Sequence, residues 1–427
     1  MRYVAPRGTH DLLPPYSGRL DAVLVKIRGV LRRYGFSSVE TPVFEASELF
    51  SRSIGDETDI VSKEMYTFTD RKGRSLTLRP EGTAGVVRAY IEHSLDQAGV
   101  DRLCYIGPMF RYERPQAGRQ RQFSQVGVEI FGDPGPEVDA ETIDLFMALC
   151  HAVGLTGLTV QLNSVGCREC RPTYSAMLTR TLASHAHDLC ADCQRRLTKN
   201  PLRVLDCKVE TCSRIARDVP SIQESLCKDC STHFERTGQL LTRLSIPFSL
   251  NPRLVRGLDY YTRTAFEIHI PGKEGAQNAV GGGGRYDLLV EQLGGKPTPA
   301  IGFAIGVERL MSLIESQSVT VPDESSPLVY IAATGDEGRA RGLTLASRLR
   351  ALGVRAILDP TRSPNLGRQF KEANRRQARI VAVLGEDEVA SGTVAIKDMQ
   401  TREQVSVPEA QSASHITEIM SRTVSGS

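Results

Sequence analysis

Arg111, Glu113, Gln125 and Glu129 bring a cation, an amide and two carboxylates into one short stretch, GPMFRYERPQAGRQRQFSQVGVEIFG, Gly107–Gly132. Such groups gathered on one surface can hold a small ligand carrying both charges, and a fixed cation can steady an anionic centre. The stretch reads as an antiparallel hairpin. Two β-branched and aromatic runs flank an eight-residue connection, Arg114 to Arg121, that contains Pro115, Gly118 and three arginines. Side chains alternate across a strand, so Arg111 and Glu113 share one face of the first strand, and Gln125, Gly127 and Glu129 share one face of the second. Val126, Val128 and Ile130 point the other way, into an apolar layer. Gly127 leaves room on the polar face. A half-solvated sheet with ordinary surface charge fits the same pattern.

Two further stretches carry candidate chemistry. In RPEGTAGVVRAYIEH a strand ends at Pro80, and Gly82 or Thr83 opens a helix with Glu81 just before it. Free N–H groups at such a start can hold a polar zwitterion, and a plain helix cap accounts for the same residues. Eight of the ten cysteines fall between Cys167 and Cys230, as Cys167-x-x-Cys170, Cys190-x-x-Cys193, Cys207 with Cys212, and Cys227-x-x-Cys230. Paired CxxC spacing in a chain without a secretion signal points to metal more than to disulfides. The expected set is a structural zinc site of Cys190, Cys193, Cys227 and Cys230, with the other four available for a second; small buried side chains are the alternative.

The elements that must position these groups follow from periodicity. Ser17 caps a helix whose apolar stripe is Leu20, Val23, Leu24, Ile27, Val30, Leu31 and Tyr34, with Gly35 as its stop. FSSVETPVF is strand-like, with Pro42 confining it to an edge. MYTFTD and SLTLRP form two short strands about the Lys72-Gly73 turn, and a helix runs from Asp139 to Gly154. Residues 166–246 read as an inserted helical module between the two parts of a larger domain, 1–165 and 247–320. The strand pattern returns in LVRGLDYYTRTAFEIHI and NAVGGGGRYD, then AIGFAIGVERLMSLI enters a helix carrying Arg309. A Ser-, Pro- and acid-rich linker, 321–327, precedes a last domain, 328–427. There LVYIAAT, VRAILD and RIVAVLG alternate with helices, the mark of a small α/β domain with a mainly parallel sheet.

Composition bounds the function. A chain of 427 residues exceeds one hydrophobic core, and 24% charged with 40% hydrophobic residues describes a soluble globular protein. A net charge of +3 is too small to demonstrate a polyanion partner by itself. The N-terminus has no apolar segment of signal-peptide length and no run of about 18 apolar residues occurs, so a cytoplasmic protein with no membrane partner is expected.

With the hairpin, the Glu81-Gly82-Thr83 helix start, RGLDYY (256–261), GGGGRYD (281–287) and IGFAIGVERL (301–310) in one order, the sequence resembles the bacterial histidyl-tRNA synthetases over nearly its whole length. The resemblance implies an α/β (α+β) multidomain fold: a class II synthetase antiparallel sheet flanked by helices, a helical insertion, and a C-terminal α/β anticodon-binding domain. It implies a homodimer through the Ser17–Gly35 helix and the strand after it. It also implies the reaction, in which L-histidine and ATP, with Mg2+, give histidyl-adenylate, and the histidyl group passes to the 3′ end of tRNA(His). By the same resemblance Arg256, Arg111 and Arg309 are catalytic, and Glu113, Arg119 and Arg121 join Arg111 and Arg309 around ATP. Glu81, Gly82, Thr83, Gln125, Glu129, Arg256, Tyr260 and Tyr261 would hold histidine, its ring between Glu129 and Tyr261. The basic loop, Gln116 included, suits phosphates of ATP and of the tRNA acceptor end, and Arg368, Lys371, Arg375 and Arg376 suit anticodon-stem phosphates. Two rivals follow: a catalytically inactive paralogue acting as a regulatory subunit of histidine biosynthesis, and a class II synthetase for another amino acid. Arg256, Arg309 and the last domain argue against the first, and Glu129 with the paired tyrosines against the second.

Overall fold

Backbone pairing gathers strands from distant parts of the chain into one eight-stranded sheet. Its order is Ser37–Ser38, Arg102–Phe110, Gln122–Phe131, Ala300–Gly306, Ala279–Arg285, Thr262–His269, Thr159–Ser164 and Phe248–Leu250. The six inner strands pair antiparallel and the two outermost pair parallel. The computed structural model describes residues 3–55, 58–114, 119–270, 279–321 and 328–422. The chain forms two compact units, Met1–Val321 and Pro322–Ser427. Pro115, Gln116 and Gly118 of the basic loop and nearly all of the expected linker lie outside the described residues. No helix among the described residues is long and apolar enough to cross a membrane.

The predicted hairpin forms, with Gly127 opposite Tyr105 and Glu129 opposite Leu103. Val126, Val128 and Ile130 enter the main core with Phe266, Ile301, Phe303 and Ile305. Each such buried aliphatic side chain contributes about 2 kcal/mol. The helices Tyr16–Arg33, Pro136–Ala152 and Val307–Ser316 pack onto the same core. The other face of the sheet packs Tyr105, Tyr260, Tyr261 and Tyr286 with the helix Thr83–Glu92. One sheet therefore separates a dry layer from a polar one.

Several expectations change. The first strand ends at Phe110, so Arg111 and Glu113 follow the strand rather than alternate along it. The first helix begins at Tyr16 after Pro15, without a Ser17 cap, and Gly35 ends it with φ +79°. Its stripe of Leu20, Val23, Ile27, Val30 and Leu31 is buried in its own chain's core. FSSVETPVF splits at Pro42: Ser37–Ser38 joins the large sheet, and Phe44–Ala46 joins a separate three-stranded sheet with Ser75–Leu78 and Tyr66–Thr69. In the second unit the three expected strands are parallel, and the antiparallel strands Thr393–Asp398 and Gln404–Pro408 complete the sheet.

Residues 166–246 hold helices and no strand, around a small core of Tyr174, Leu178, Leu182, Leu197 and Val204. The expected grouping of Cys190, Cys193, Cys227 and Cys230 is wrong. Cys227 and Cys230 begin the helix Lys228–Arg243 and meet Cys167 and Cys170 at the base of the insertion, while Cys190 and Cys193 begin the helix Ala191–Lys199 and meet Cys207 and Cys212. The reason is tertiary: the last insertion helix packs back along Pro136–Ala152 and brings its first turn beside the start of the insertion rather than its middle.

Candidate active site

A cavity of about 360 Å³ opens on the polar face of the large sheet. The hairpin supplies Arg111, Glu113, Arg119, Gln125 and Glu129; the segment before the strand Thr262–His269 supplies Arg256, Tyr260 and Tyr261; the helix Val307–Ser316 supplies Arg309. Glu81 and Thr83 line it from the start of the helix Thr83–Glu92. Residues far apart in sequence thus share one wall.

At the inner end Glu129 is 1% exposed, accepts a hydrogen bond from Thr83 Oγ1 at 2.7 Å and takes a second from the Tyr286 hydroxyl. Burial pushes its carboxyl up to about 8; the Tyr286 and Thr83 bonds oppose that rise and the charge of Glu81 adds to it. Glu81 accepts the backbone N–H groups of Thr83 at 2.6 Å and Ala84 at 2.9 Å, so it caps the helix itself. Its carboxyl is also raised, by burial, against the pull of those two N–H groups. Tyr105 occupies the space that Gly127 leaves: a Cβ added at Gly127 or Gly82 would come within 2.1 or 2.3 Å of its ring. Tyr260 and Tyr261 stand with ring centres 4.7 Å apart, and Tyr286 lies 5.6 Å from Tyr260.

The outer end is cationic. Arg256 pairs with Glu267, which also accepts from His269 at 2.9 Å, and its guanidinium lies 5.9 Å from the Tyr261 ring centre. Burial works against the charge on Arg256, but Glu267 and the neighbouring tyrosines outweigh it and raise its pKa. Arg111 donates from Nε to the Pro80 carbonyl at 2.8 Å and lies over Phe123. Arg119 stands 3.2 Å from Glu113, and Arg309 donates to the Ala279 carbonyl at 3.3 Å. Arg121 is the exception. It stacks on Tyr112 at 4.1 Å and is not among the residues lining the cavity.

The glycine run lies under this end because no side chain fits there. A Cβ at Gly282 would stand 2.7 Å from Arg256 Nη1, and one at Gly284 would stand 2.9 Å from the Tyr261 ring. Arg285, at the end of the run, is fully buried and serves structure: it pairs with Asp139 and Asp287 and donates to the Asp133 and Gly135 carbonyls. Gln125 Oε1 and Arg256 Nε are two of the nine buried side-chain polar atoms that have no hydrogen-bond partner among the described residues. Both belong to cavity-lining residues, where a ligand could supply the missing partner.

Sequence reasoning missed Tyr105 and Tyr286. It also missed Arg203, Asp206 and Lys208, which the insertion contributes to the cavity. Tyr286 had a signal, its place in GGGGRYD; the insertion residues had none, since nothing periodic ties them to the sheet.

The combination can receive a small polar side chain beside a carboxyl and several phenols, with phosphate groups against arginines. Comparison with known proteins gives the family. The family described as histidyl-tRNA synthetase matches residues 8–310, and that described as anticodon binding domain matches 328–419. The histidine–tRNA ligase of Natranaerobius thermophilus is 48% identical over 417 residues, covering 97% of this chain and 99% of that one. The apo histidyl-tRNA synthetase of S. aureus superposes with a TM-score of 0.82 at 35% identity, covering 97% of this chain and 99% of that structure. A Bacillus halodurans structure, described as ATP phosphoribosyltransferase regulatory subunit/histidyl-tRNA synthetase, reaches 0.65 at 21% identity and covers 90% of this chain, which speaks to the fold alone. With matches of this identity and coverage, and with the cavity assembled from the same motifs, the chain belongs to the histidyl-tRNA synthetase family.

Proposed function

We propose that the chain is a histidine–tRNA ligase, and that the cavity forms histidyl-adenylate from L-histidine and ATP before the histidyl group moves to the 3′ end of tRNA(His). The observation that carries this reading is a single cavity lined by Glu129 among buried phenols at one end and by Arg111, Arg256 and Arg309 at the other. Imidazole offers one N–H donor and one acceptor nitrogen, and Glu129 with Tyr261 can pair both. The amino acid's α-amino group goes to Gln125, Thr83 and Glu81, where Gln125 Oε1 stands ready as an acceptor.

The histidine carboxylate attacks the α-phosphorus, a P–O bond forms, and the bond to pyrophosphate breaks. Negative charge accumulates on the α-phosphate oxygens as two anions meet. Arg256 and Arg111 neutralise it from fixed positions, and Arg309 holds the terminal phosphate that leaves with pyrophosphate. One such preorganised donor is worth about 3–4 kcal/mol of barrier. In the second step a ribose hydroxyl of the tRNA end attacks the histidyl carbonyl and AMP departs. Arg119 is retained as an ATP contact; Arg121, stacked on Tyr112, is assigned to the hairpin itself or to the tRNA end.

Catalysis is assigned to 1–165 with 247–320, and anticodon recognition to 328–427. Magnesium accompanies ATP. The only groups of three or more potential metal ligands among the described residues are cysteines, and Glu113 and Glu267 are engaged by arginines, so ATP's own phosphates are its natural ligands. A cytoplasmic homodimer is part of the reading. Since the stripe of the first helix is buried at home, the three-stranded sheet is the better interface: Phe44 and Phe68 are 46% and 44% exposed with ring centres 6.1 Å apart. The regulatory-paralogue reading would leave the phosphate-binding arginines without a task. ATP–pyrophosphate exchange with each amino acid in turn tests the proposal; exchange must depend on histidine, and exchange with another amino acid instead would overturn it.

A further inference from the structure

We infer that the insertion binds two zinc ions, one held by Cys167, Cys170, Cys227 and Cys230 and the other by Cys190, Cys193, Cys207 and Cys212. In each set the four sulfur atoms lie within 4.8 Å of one another. Cys167 Sγ stands 3.6 Å from Cys170 Sγ and 3.8 Å from Cys227 Sγ, and Cys190 Sγ stands 3.9 Å from Cys207 Sγ. A disulfide would bring two sulfurs to about 2.05 Å, and all eight cysteines are free. Zinc–sulfur bonds of about 2.3 Å at tetrahedral angles place sulfurs roughly 3.8 Å apart. The three sulfur pairs at 3.6, 3.8 and 3.9 Å have the spacing of tetrathiolate zinc.

Backbone N–H groups point at sulfurs in both places. Cys227 N–H donates to Cys170 Sγ at 3.1 Å, Glu169 N–H to Cys167 Sγ at 3.4 Å, and Cys190 N–H to Cys212 Sγ at 3.2 Å. Each set includes a CxxC pair at a helix start: Cys227 and Cys230 for Lys228–Arg243, Cys190 and Cys193 for Ala191–Lys199. The positive end of the helix lies beside the sulfurs. Buried and part-exposed cysteines alternate in each set, as expected for a closed site near the surface.

The two ions would do different work. The first ties the start of the insertion to its last helix and fastens the module where it leaves and rejoins the sheet. The second fixes the turn carrying Arg203, Asp206 and Lys208, all of which line the cavity. Arg203 holds the Asp259 carboxylate from Nε at 2.9 Å and Nη2 at 2.8 Å, within the segment that carries Arg256 and the paired tyrosines. A zinc ion thereby supports one wall of the active site, whichever amino acid that site takes.

Metal analysis of the full chain, expressed with zinc and purified without chelator, is expected to give two zinc per chain. X-ray absorption at the zinc edge is expected to show four sulfurs at about 2.3 Å and no nitrogen or oxygen ligand. The Cys167→Ser/Cys227→Ser double variant keeps one zinc, and Cys190→Ser/Cys227→Ser keeps none. Less than about half a zinc per chain, a mixed ligand shell, iron in place of zinc, or Cys167→Ser variants with undiminished zinc would each overturn the inference. Should the variants fail to fold, the absorption spectrum and metal content of the parent chain decide alone.

Discussion

Glu129→Gln should weaken the enzyme and stabilise it. The amide keeps the shape and both local bonds: its oxygen can accept from Thr83 Oγ1, and its nitrogen can donate to the Tyr286 oxygen. What disappears is a buried charge. The carboxyl sits at about 8 against an ordinary 4.5, chiefly because burial penalises the anion. Between those values the folded chain keeps a proton that the unfolded chain has released, so stability falls as pH rises through the window and levels off above 8. At about 1.4 kcal/mol per pH unit, the penalty is on the order of 3 kcal/mol at pH 7 and 5 above pH 8. Glutamine removes it, together with the part that the charge of Glu81 adds. Melting of the larger unit should therefore shift upward by a few degrees at pH 8 and hardly at all near pH 5. Histidine loses a charge-assisted bond worth about 1.5–3 kcal/mol, so its kcat/KM in pyrophosphate exchange should drop roughly 10- to 150-fold. A variant that melts below the parent at pH 8, or that activates histidine within about threefold of it, would refute the reasoning.

Arg256→Ala should reduce exchange by about 10²–10³-fold, with Glu267 still held by His269 so that the chain remains folded; a change under fivefold in kcat would remove Arg256 from the chemistry. Asp139→Asn should destabilise the chain by about 3 kcal/mol, because the fully buried Arg285 loses its fully buried charge partner and keeps only the part-exposed Asp287. Burial raises the Asp139 carboxyl, but His233 and Arg285 outweigh it and hold the group below 3.8. Its stabilising contribution is therefore present above that value and lost as pH falls through the lower folded value; denaturant titration at pH 7 and pH 3 checks both statements. Raising salt should increase KM for tRNA steeply while leaving pyrophosphate exchange, which needs no tRNA, nearly unchanged; equal insensitivity would contradict the assignment of basic residues to tRNA phosphates.

Strand alternation made the two faces of the hairpin legible. Gln125, Gly127 and Glu129 share the cavity side and Val126, Val128 and Ile130 the core, because a period of two admits one arrangement once one face is apolar. Gly127 was legible as space, but not the ring of Tyr105 that fills it, since cross-strand register sets that contact. The Glu81 helix start was ambiguous in sequence; the N–H groups of Thr83 and Ala84 are taken by Glu81, which caps the helix, and the same carboxyl lines the cavity. The CxxC pairs were visible; their partners were not, because proximity there depends on where the last insertion helix packs. Arg368, Lys371, Arg375 and Arg376 were read as phosphate contacts from spacing alone, yet Arg375 and Arg376 both pair with Glu372. That acid was as visible as the arginines, and a spacing argument simply ignored it.

The most direct measurement is a crystal structure of the chain with a non-hydrolysable histidyl-adenylate analogue. The account predicts the imidazole between Glu129 and Tyr261 and the phosphate oxygens within hydrogen-bond reach of Arg256 and Arg111. An imidazole lodged elsewhere, or a phosphate turned away from both arginines, would contradict it.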